Sequence, residues 1–343
     1  MTCFQVGRVT ILKPYVRFAR DLGLPVDREL GRANLPIYHD DFPDAWVSYP
    51  KIQNFVDWIV RREPEALPVL SGVSTDPDRS IHPAVWRPLK HTVTLRQALK
   101  RLPVLSRNHV SGFHGELIEC RDPAVFRFSV AGQAAGTSDA AGVQESRSIG
   151  MLIGVIRAFA GSQPGITRAF LSTRSKKVQA ATTELLDGVP VMIGQPCSGL
   201  EFASDLLLCS RLPSSASPEL QDPEKPSPGT TIADRLILCL ESYLPQGHPN
   251  IRLAADLANM SVRGLQRRLA ASGTTHELIV DTVRCRTALR LLAAGETNLS
   301  EIAHTLGYSE QSSFNRAFLR WTGKSPNTWR RASEGLQELE PRP

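Results

Sequence analysis

Two stretches decide the reading of this chain: IRLAADLANMSVRGLQRRL (residues 251–269) and LSEIAHTLGYSEQSSFNRAF (residues 299–318). They are copies of one unit. Ala255 answers Ala303 and Ser261 answers Ser309, each 48 apart. Leu265 answers Phe314 and Leu269 answers Phe318, each 49 apart, so one residue is inserted after the turn. Each copy has helical apolar spacing, a break, and a second helical run opened by Ser. A small Ala on the first helix lets the second cross closely. Ser261 and Ser309 are placed to cap the second helices, and Asn298 with Glu301 has capping-box spacing. Gly307 suits a turn that needs positive φ. Asn259, at the matching place in the first copy, tolerates that backbone next best. The pattern predicts two helix-turn-helix units.

The segment between the copies, about Glu277 to Ala293, reads as one helix of roughly 25 Å at ~1.5 Å per residue. One face of the major groove recurs every ~34 Å. A rigid link of that order would set two recognition helices in adjacent turns of one DNA face. Leu265, Leu269, Phe314 and Phe318 are expected to face inward. That leaves Arg263, Gln266, Arg267 and Arg268 on the outer or flanking faces of the first recognition helix. On the second it leaves Gln311, Ser312, Asn315 and Arg316. Arg pairs with guanine O6 and N7, Gln or Asn with adenine N6 and N7, and Ser with a base or a phosphate. Solvent exposure accounts equally well for any one of these residues. It does not account for two such helices at this spacing. The first helix is the more basic, so it is expected to anchor more strongly.

Working outward, the chain has 343 residues, a net charge of +6 and a pI of about 9.1. With 41% hydrophobic and 22% charged residues, wholesale disorder is excluded. Residues 232–332 hold 13 Lys and Arg against 8 Asp and Glu, so about five of the six net charges lie there. Twelve of those 13 are Arg, the exception being Lys324. Arg carries a planar fork of donors suited to phosphates and guanine edges. An ordinary helical surface solubilised by Arg gives the same count, so charge alone does not decide.

Upstream lies PSSASPELQDPEKPSPGTT (residues 213–231), whose five prolines block helix and sheet and predict a solvated linker. The expected division is therefore 1–212, a 213–231 linker, 232–332 and a frayed 333–343 tail. The fold class is an α+β N-terminal domain followed by an all-α domain with two helix-turn-helix units. In the N-terminal part, Lys51–Arg61, Thr94–Leu105, Ser146–Ala160 and Lys177–Leu186 read as helices. Phe113–Cys120 and Ala124–Val130 read as a strand pair turned at Arg121–Pro123. Ile166–Thr173 and Pro190–Ile193 read as strands, and Gly132–Gly142 as a loop.

No run approaches the ~18 apolar residues of a membrane helix, and the stretch Met1–Arg20, broken by Lys13, Pro14, Arg17 and Arg20, is not expected to be a secretory signal. The six scattered cysteines are expected to be reduced thiols, so the expected location is cytoplasmic. No catalytic set, cofactor motif or metal cluster is visible. His109 and His114 are five apart across Gly112 with Cys120 beyond, but no carboxylate completes a metal site at familiar spacing. Pro196-Cys197-Ser198 lacks the basic residue that would make it a methyl-accepting site. Trp46, Tyr49, Phe55, Trp58, Trp86 and Phe113 could line a pocket, but core is the commoner use of such residues.

EIAHTLGYSEQSSFNRAFLRWTGKSPNTWRR (residues 301–331) resembles, almost throughout, the signature of the AraC/XylS family of bacterial transcriptional regulators. The matching positions include Ala303, Leu306, Gly307, Tyr308, Ser312, Phe314, Arg316, Phe318, Gly323 and Pro326. MSVRGLQRRLAASGTTHELIVDTVR (residues 260–284) is also similar to that family. Trp329, where Tyr is usual, and Asn259, where Gly is frequent, are departures. The resemblance implies base contacts at Arg263, Gln266, Arg267, Ser312 and Arg316, and less directly at Gln311 and Asn315. The N-terminal part resembles, less specifically, the arabinose-binding-like effector domain of one branch. It departs at Ser80–Lys90, where His82, Pro83, Trp86 and Pro88 replace a Gly-rich stretch. The resemblance implies promoter or operator DNA as partner, an activator that contacts RNA polymerase, an unidentified small-molecule effector and a possible homodimer. The alternative from another class is an enzyme with its catalytic domain in 1–212 and the helical module as a DNA-targeting appendage.

Overall fold

A computed structural model of the chain describes residues 4–37, 45–67, 70, 83–119, 122–130, 138–161, 165–210, 229, 231–244, 247, 249–295 and 298–337. The expected 213–231 linker lies outside these residues except for Gly229 and Thr231, as do Cys120, Arg121 and the last six residues of the tail. The chain forms two compact units, Met1–Ile37 with Tyr49–Pro228 and Tyr38–Ser48 with Gly229–Pro343.

The first unit is α+β. It opens with strand β1 (Val6–Arg8) and helices α1 (Lys13–Asp21) and α2 (Val26–Arg32). The next strand, β2 (Trp46–Ser48), belongs to the second unit. Then come α3 (Tyr49–Arg62), α4 (Pro83–Lys90), α5 (Leu95–Arg107), β3 (Phe113–Ile118), β4 (Ala124–Val130), α6 (Asp139–Ala160), β5 (Ile166–Phe170), α7 (Lys176–Leu185), β6 (Val191–Met192) and β7 (Ser198–Phe202). The last five strands form one sheet in the order β3-β4-β7-β5-β6, antiparallel except for β5 with β6. In β4 the alternation of Ala124, Phe126 and Phe128 buried against Arg127 and Ser129 exposed gives one wet and one dry face.

Helix α6 forms the spine of this unit. It starts at Asp139, seven residues earlier than its apolar pattern suggests, capped by Ser138, whose side chain accepts from Ala141 N. The small residues at its start read as loop in the sequence. Gly142 is there because a Cβ would sit 2.9 Å from Thr173 Oγ1 and Val178 Cγ2. Close approach, rather than a turn, demands the glycine. Of the six candidate pocket aromatics, Trp46, Tyr49, Phe55, Trp86 and Phe113 are buried, each fully buried aromatic worth roughly 1.5–3 kcal/mol.

The second unit is helical apart from β2: α8 (Ile232–Glu241), α9 (Ile251–Leu257), α10 (Val262–Ala271), α11 (His276–Ala294), α12 (Leu299–Thr305), α13 (Gln311–Thr322) and α14 (Pro326–Gln337). Ser48 Oγ donates to the Leu257 carbonyl at 2.7 Å, tying β2 to the end of α9. Thr231 and Asp234 form a reciprocal capping box on α8. Helix α14 was not anticipated. Its start is marked by Ser325, which accepts from Thr328 N at 3.2 Å, and by Pro326 in the first turn.

Candidate nucleic-acid interface

Both predicted helix-turn-helix units form. In the first, Asn250 accepts from Leu253 N to start α9, and Ser261 accepts from Gly264 N at 3.1 Å to start α10. Between them Asn259 adopts φ 53°, the left-handed conformation the turn requires. In the second, Asn298 accepts from Glu301 N at 2.8 Å to start α12, and Gly307 turns at φ 78°. Ala255 and Ala303 are 2% and 1% exposed, as close helix crossing requires. One capping expectation fails: Glu310, not Ser309, stands at the N-cap of α13, with no side-chain cap. The residue inserted after the turn moves the helix start on by one.

The inward residues are Leu265 and Leu269 in α10 and Phe314 and Phe318 in α13, all buried. Phe314 and Phe318 meet edge to face with ring centres 5.7 Å apart, and Tyr308 lies 6.3 Å from Phe314. This locks the orientation of each recognition helix and so fixes what its other face presents.

The two presented faces differ. On α10, Arg263, Gln266 and Arg267 are exposed and Arg268 is half-buried. Among the described residues none of the three arginines is ion-paired, so their guanidinium forks are open to an anion. On α13, Gln311, Ser312 and Arg316 are exposed. Ser312 Oγ donates to Glu310 Oε2 at 3.0 Å, and Arg316 Nη2 donates to Ser313 Oγ at 3.3 Å. Asn315, expected outward, is half-buried, and its buried Oδ1 has no hydrogen-bond partner among the described residues. The second helix thus holds Ser312 and Arg316 in local pairs and carries a carboxylate at its N-cap.

Residues that the sequence reading passed over hold the second copy to the joining helix. Helix α11 runs 19 residues, about 28 Å. Its Arg284 donates from Nε to the Leu306 carbonyl at 3.0 Å and stacks over Tyr308. Arg320 of α13 pairs with Asp281 of α11 at 2.7 Å. Burial pushes the Tyr308 phenol up, opposed by the charge of Arg284. Their signal in the sequence is weak, because an Arg or Asp on a long polar helix reads as solvated surface.

Among the described residues no group of three or more His, Cys, Asp or Glu could hold a metal ion, and no helix is long and apolar enough to cross a membrane. His114 is exposed on β3, whereas His109 is buried.

Comparison with known proteins places these geometries in a family. Residues 254–332 match the model of a helix-turn-helix domain, and residues 23–210 match the model of the arabinose-binding domain of AraC transcription regulator, N-terminal. The chain is 42% identical over 88 residues to the ornithine utilization regulator of Pseudomonas aeruginosa, covering 26% of each. It is 36% identical over 159 residues to the HTH-type transcriptional regulator VirS of Mycobacterium tuberculosis, covering 44% of this chain and 46% of VirS. It is also similar to the crystal structure of transcriptional regulator CdpR from Pseudomonas aeruginosa, at 22% identity and a TM-score of 0.36 over 81% of this chain and 91% of that one. The chain spans about a quarter to a half of the length of the curated relatives it matches. With the N-terminal model alone covering more than half of its residues, the chain belongs to the AraC family of transcription regulators.

Proposed function

We propose that this protein is a bacterial, cytoplasmic transcription regulator that binds double-stranded promoter or operator DNA sequence-specifically through α10 and α13. The observation that carries this reading is the pair of helix-turn-helix units joined by one 19-residue helix, the first presenting three arginines that are not ion-paired among the described residues. In this reading Arg263, Gln266, Arg267 and Arg268 engage one major-groove segment. Gln311, Ser312, Asn315 and Arg316 engage the next. Phosphate contacts supply salt-dependent affinity and base edges supply sequence choice. The unpaired arginines make α10 the stronger anchor. Binding by α13 requires Ser312 to leave Glu310 and keeps that carboxylate near phosphate, which favours a close sequence match over tight binding.

Residues 1–212 act as the effector-sensing and dimerising part, joined through 213–231 to the reader at 232–332. Output is activation through contact with RNA polymerase, modulated by a small molecule that binds one arrangement of the chain better than another. No enzymatic step is assigned. The test is a gel shift of the full chain with the DNA upstream of its own gene against a shuffled duplex, at several salt concentrations. Selective binding that falls steeply with salt supports the reading, and equal binding to both duplexes refutes it.

A further inference from the structure

The first unit contains a cavity built around a buried carboxylate. Its lining includes Tyr49, Phe128, Gln144, Glu145, Ser148 and Cys197. It offers about 60 Å³ to the centres of water-sized molecules, room for about four waters.

Glu145, 6% exposed, is the charge in this cavity. Its Oε2 accepts from Ser172 N at 2.8 Å, Thr173 N at 3.0 Å and Ser198 Oγ at 2.9 Å. Among the described residues its Oε1 accepts from Ser172 Oγ alone. A carboxylate has about four lone-pair sites, two on each oxygen, so Oε2 is saturated and Oε1 retains capacity. Among the described residues lining the cavity none is Lys, Arg or His. Among the described residues the carboxylate therefore stands buried on hydrogen bonds with no cationic side chain on the cavity wall, which is costly for a charge. Beside it, Gln144 is also 6% exposed, and among the described residues its buried Nε2 has no hydrogen-bond partner. An unmade hydrogen bond of that kind is destabilising. Both defects are repaired by one kind of ligand.

We propose that this cavity binds a small amine: a primary ammonium on Glu145 Oε1, with an oxygen acceptor a few bonds away taking the amide N–H of Gln144. The site rests on the reading of this unit as the effector-binding part. The size of the cavity limits the buried portion of the ligand to a few heavy atoms, with any longer tail leaving by the mouth. Ser148 and Ser172 supply further hydroxyls for the remaining ammonium hydrogens.

The test is calorimetry on the full chain with three probes of matched size: ethanolamine, ethylene glycol and glycolate. Ethanolamine is expected to bind about tenfold or more tighter than either of the others, the value of one charge-assisted hydrogen bond. Glu145→Gln keeps the shape and is expected to erase that preference. Gln144→Leu serves where the first variant fails to fold. It should weaken ethanolamine binding and raise the ligand-free melting temperature by about 2–4 °C, because it removes the unpaired amide. Equal affinity for the three probes, or a preference that survives in both variants, overturns the site. Selective amine binding that leaves affinity for the upstream DNA unchanged upholds the site and removes the sensor reading. A metabolite that shifts DNA affinity equally in wild type and in both variants overturns the site while keeping the sensor reading.

Discussion

The guanidinium of Arg284 lies 4.5 Å from the ring centre of Tyr308. Arg284 belongs to the helix that joins the two helix-turn-helix units, and Tyr308 follows the turn of the second. The same guanidinium reaches the Leu306 carbonyl, so one side chain both stacks on the turn and satisfies a helix-end acceptor. Arg284→Lys keeps the charge but cannot do both at once. It is expected to cost about 1–2 kcal/mol, measured as a lower denaturation midpoint. A variant as stable as wild type would show that the contact does not hold the turn.

The two turns make a paired prediction about backbone conformation. Gly307→Val places a branched side chain at φ 78° and should cost about 1–2 kcal/mol or more. Asn259→Gly, at φ 53°, should change stability by no more than about 0.5 kcal/mol, since Gly takes that conformation freely. Thermal melts of both variants check this. Equal losses would mean that side-chain contacts, not backbone conformation, select these residues.

The Asp281–Arg320 pair is a second tie between α11 and α13. Its side chains are 31% and 66% exposed, so solvent screens it. A double-mutant cycle should return about 0.2–1 kcal/mol, shrinking as salt is raised. A coupling that is larger and insensitive to salt would contradict this placement at the surface.

In the N-terminal unit Glu119 sits between Lys100 at 2.8 Å and Arg96 at 2.7 Å. The hydrogen bond from Lys100, together with the charges of Lys100 and Arg96, holds its carboxyl below the ordinary value of 4.5. A depressed carboxylate contributes stability that is present above its unfolded value and lost as pH falls through its folded one. Glu119→Gln should therefore lower stability slightly at pH 7 and make no difference at strongly acidic pH. Urea midpoints at the two pH values test it. An equal loss at both would assign the effect to packing rather than charge.

Much of the reader was legible because its signals are local. The Ser and Asn caps, the turn residues at 259 and 307, and apolar positions such as Leu265 and Phe314 each act within one helical turn. What was missed depends on partners distant in the chain. Gly142 and its small neighbours resemble a loop until Thr173 and Val178 are seen packed against them. Strand β7 has only five residues, and it sits in the middle of the sheet because β4 and β5 flank it. Gln144 and Glu145 lie just before the apolar run Ser146–Ala160 and carry no local signal of their own. Their meaning comes from Ser172, Thr173 and Ser198, which the fold brings from 27 to 53 residues away. Helix α14 is marked by Ser325 and Pro326 but lies beyond the repeated unit.

The central claim is that α10 and α13 both read DNA. The direct test is fluorescence anisotropy of the full chain on its own upstream DNA and on a shuffled duplex, comparing wild type with Arg267→Ala and Arg316→Ala. Each variant is expected to lose about 1–3 kcal/mol of specific binding, with a smaller loss on the shuffled duplex. If both variants bind the upstream DNA as tightly and as selectively as wild type, the assignment of these helices is wrong.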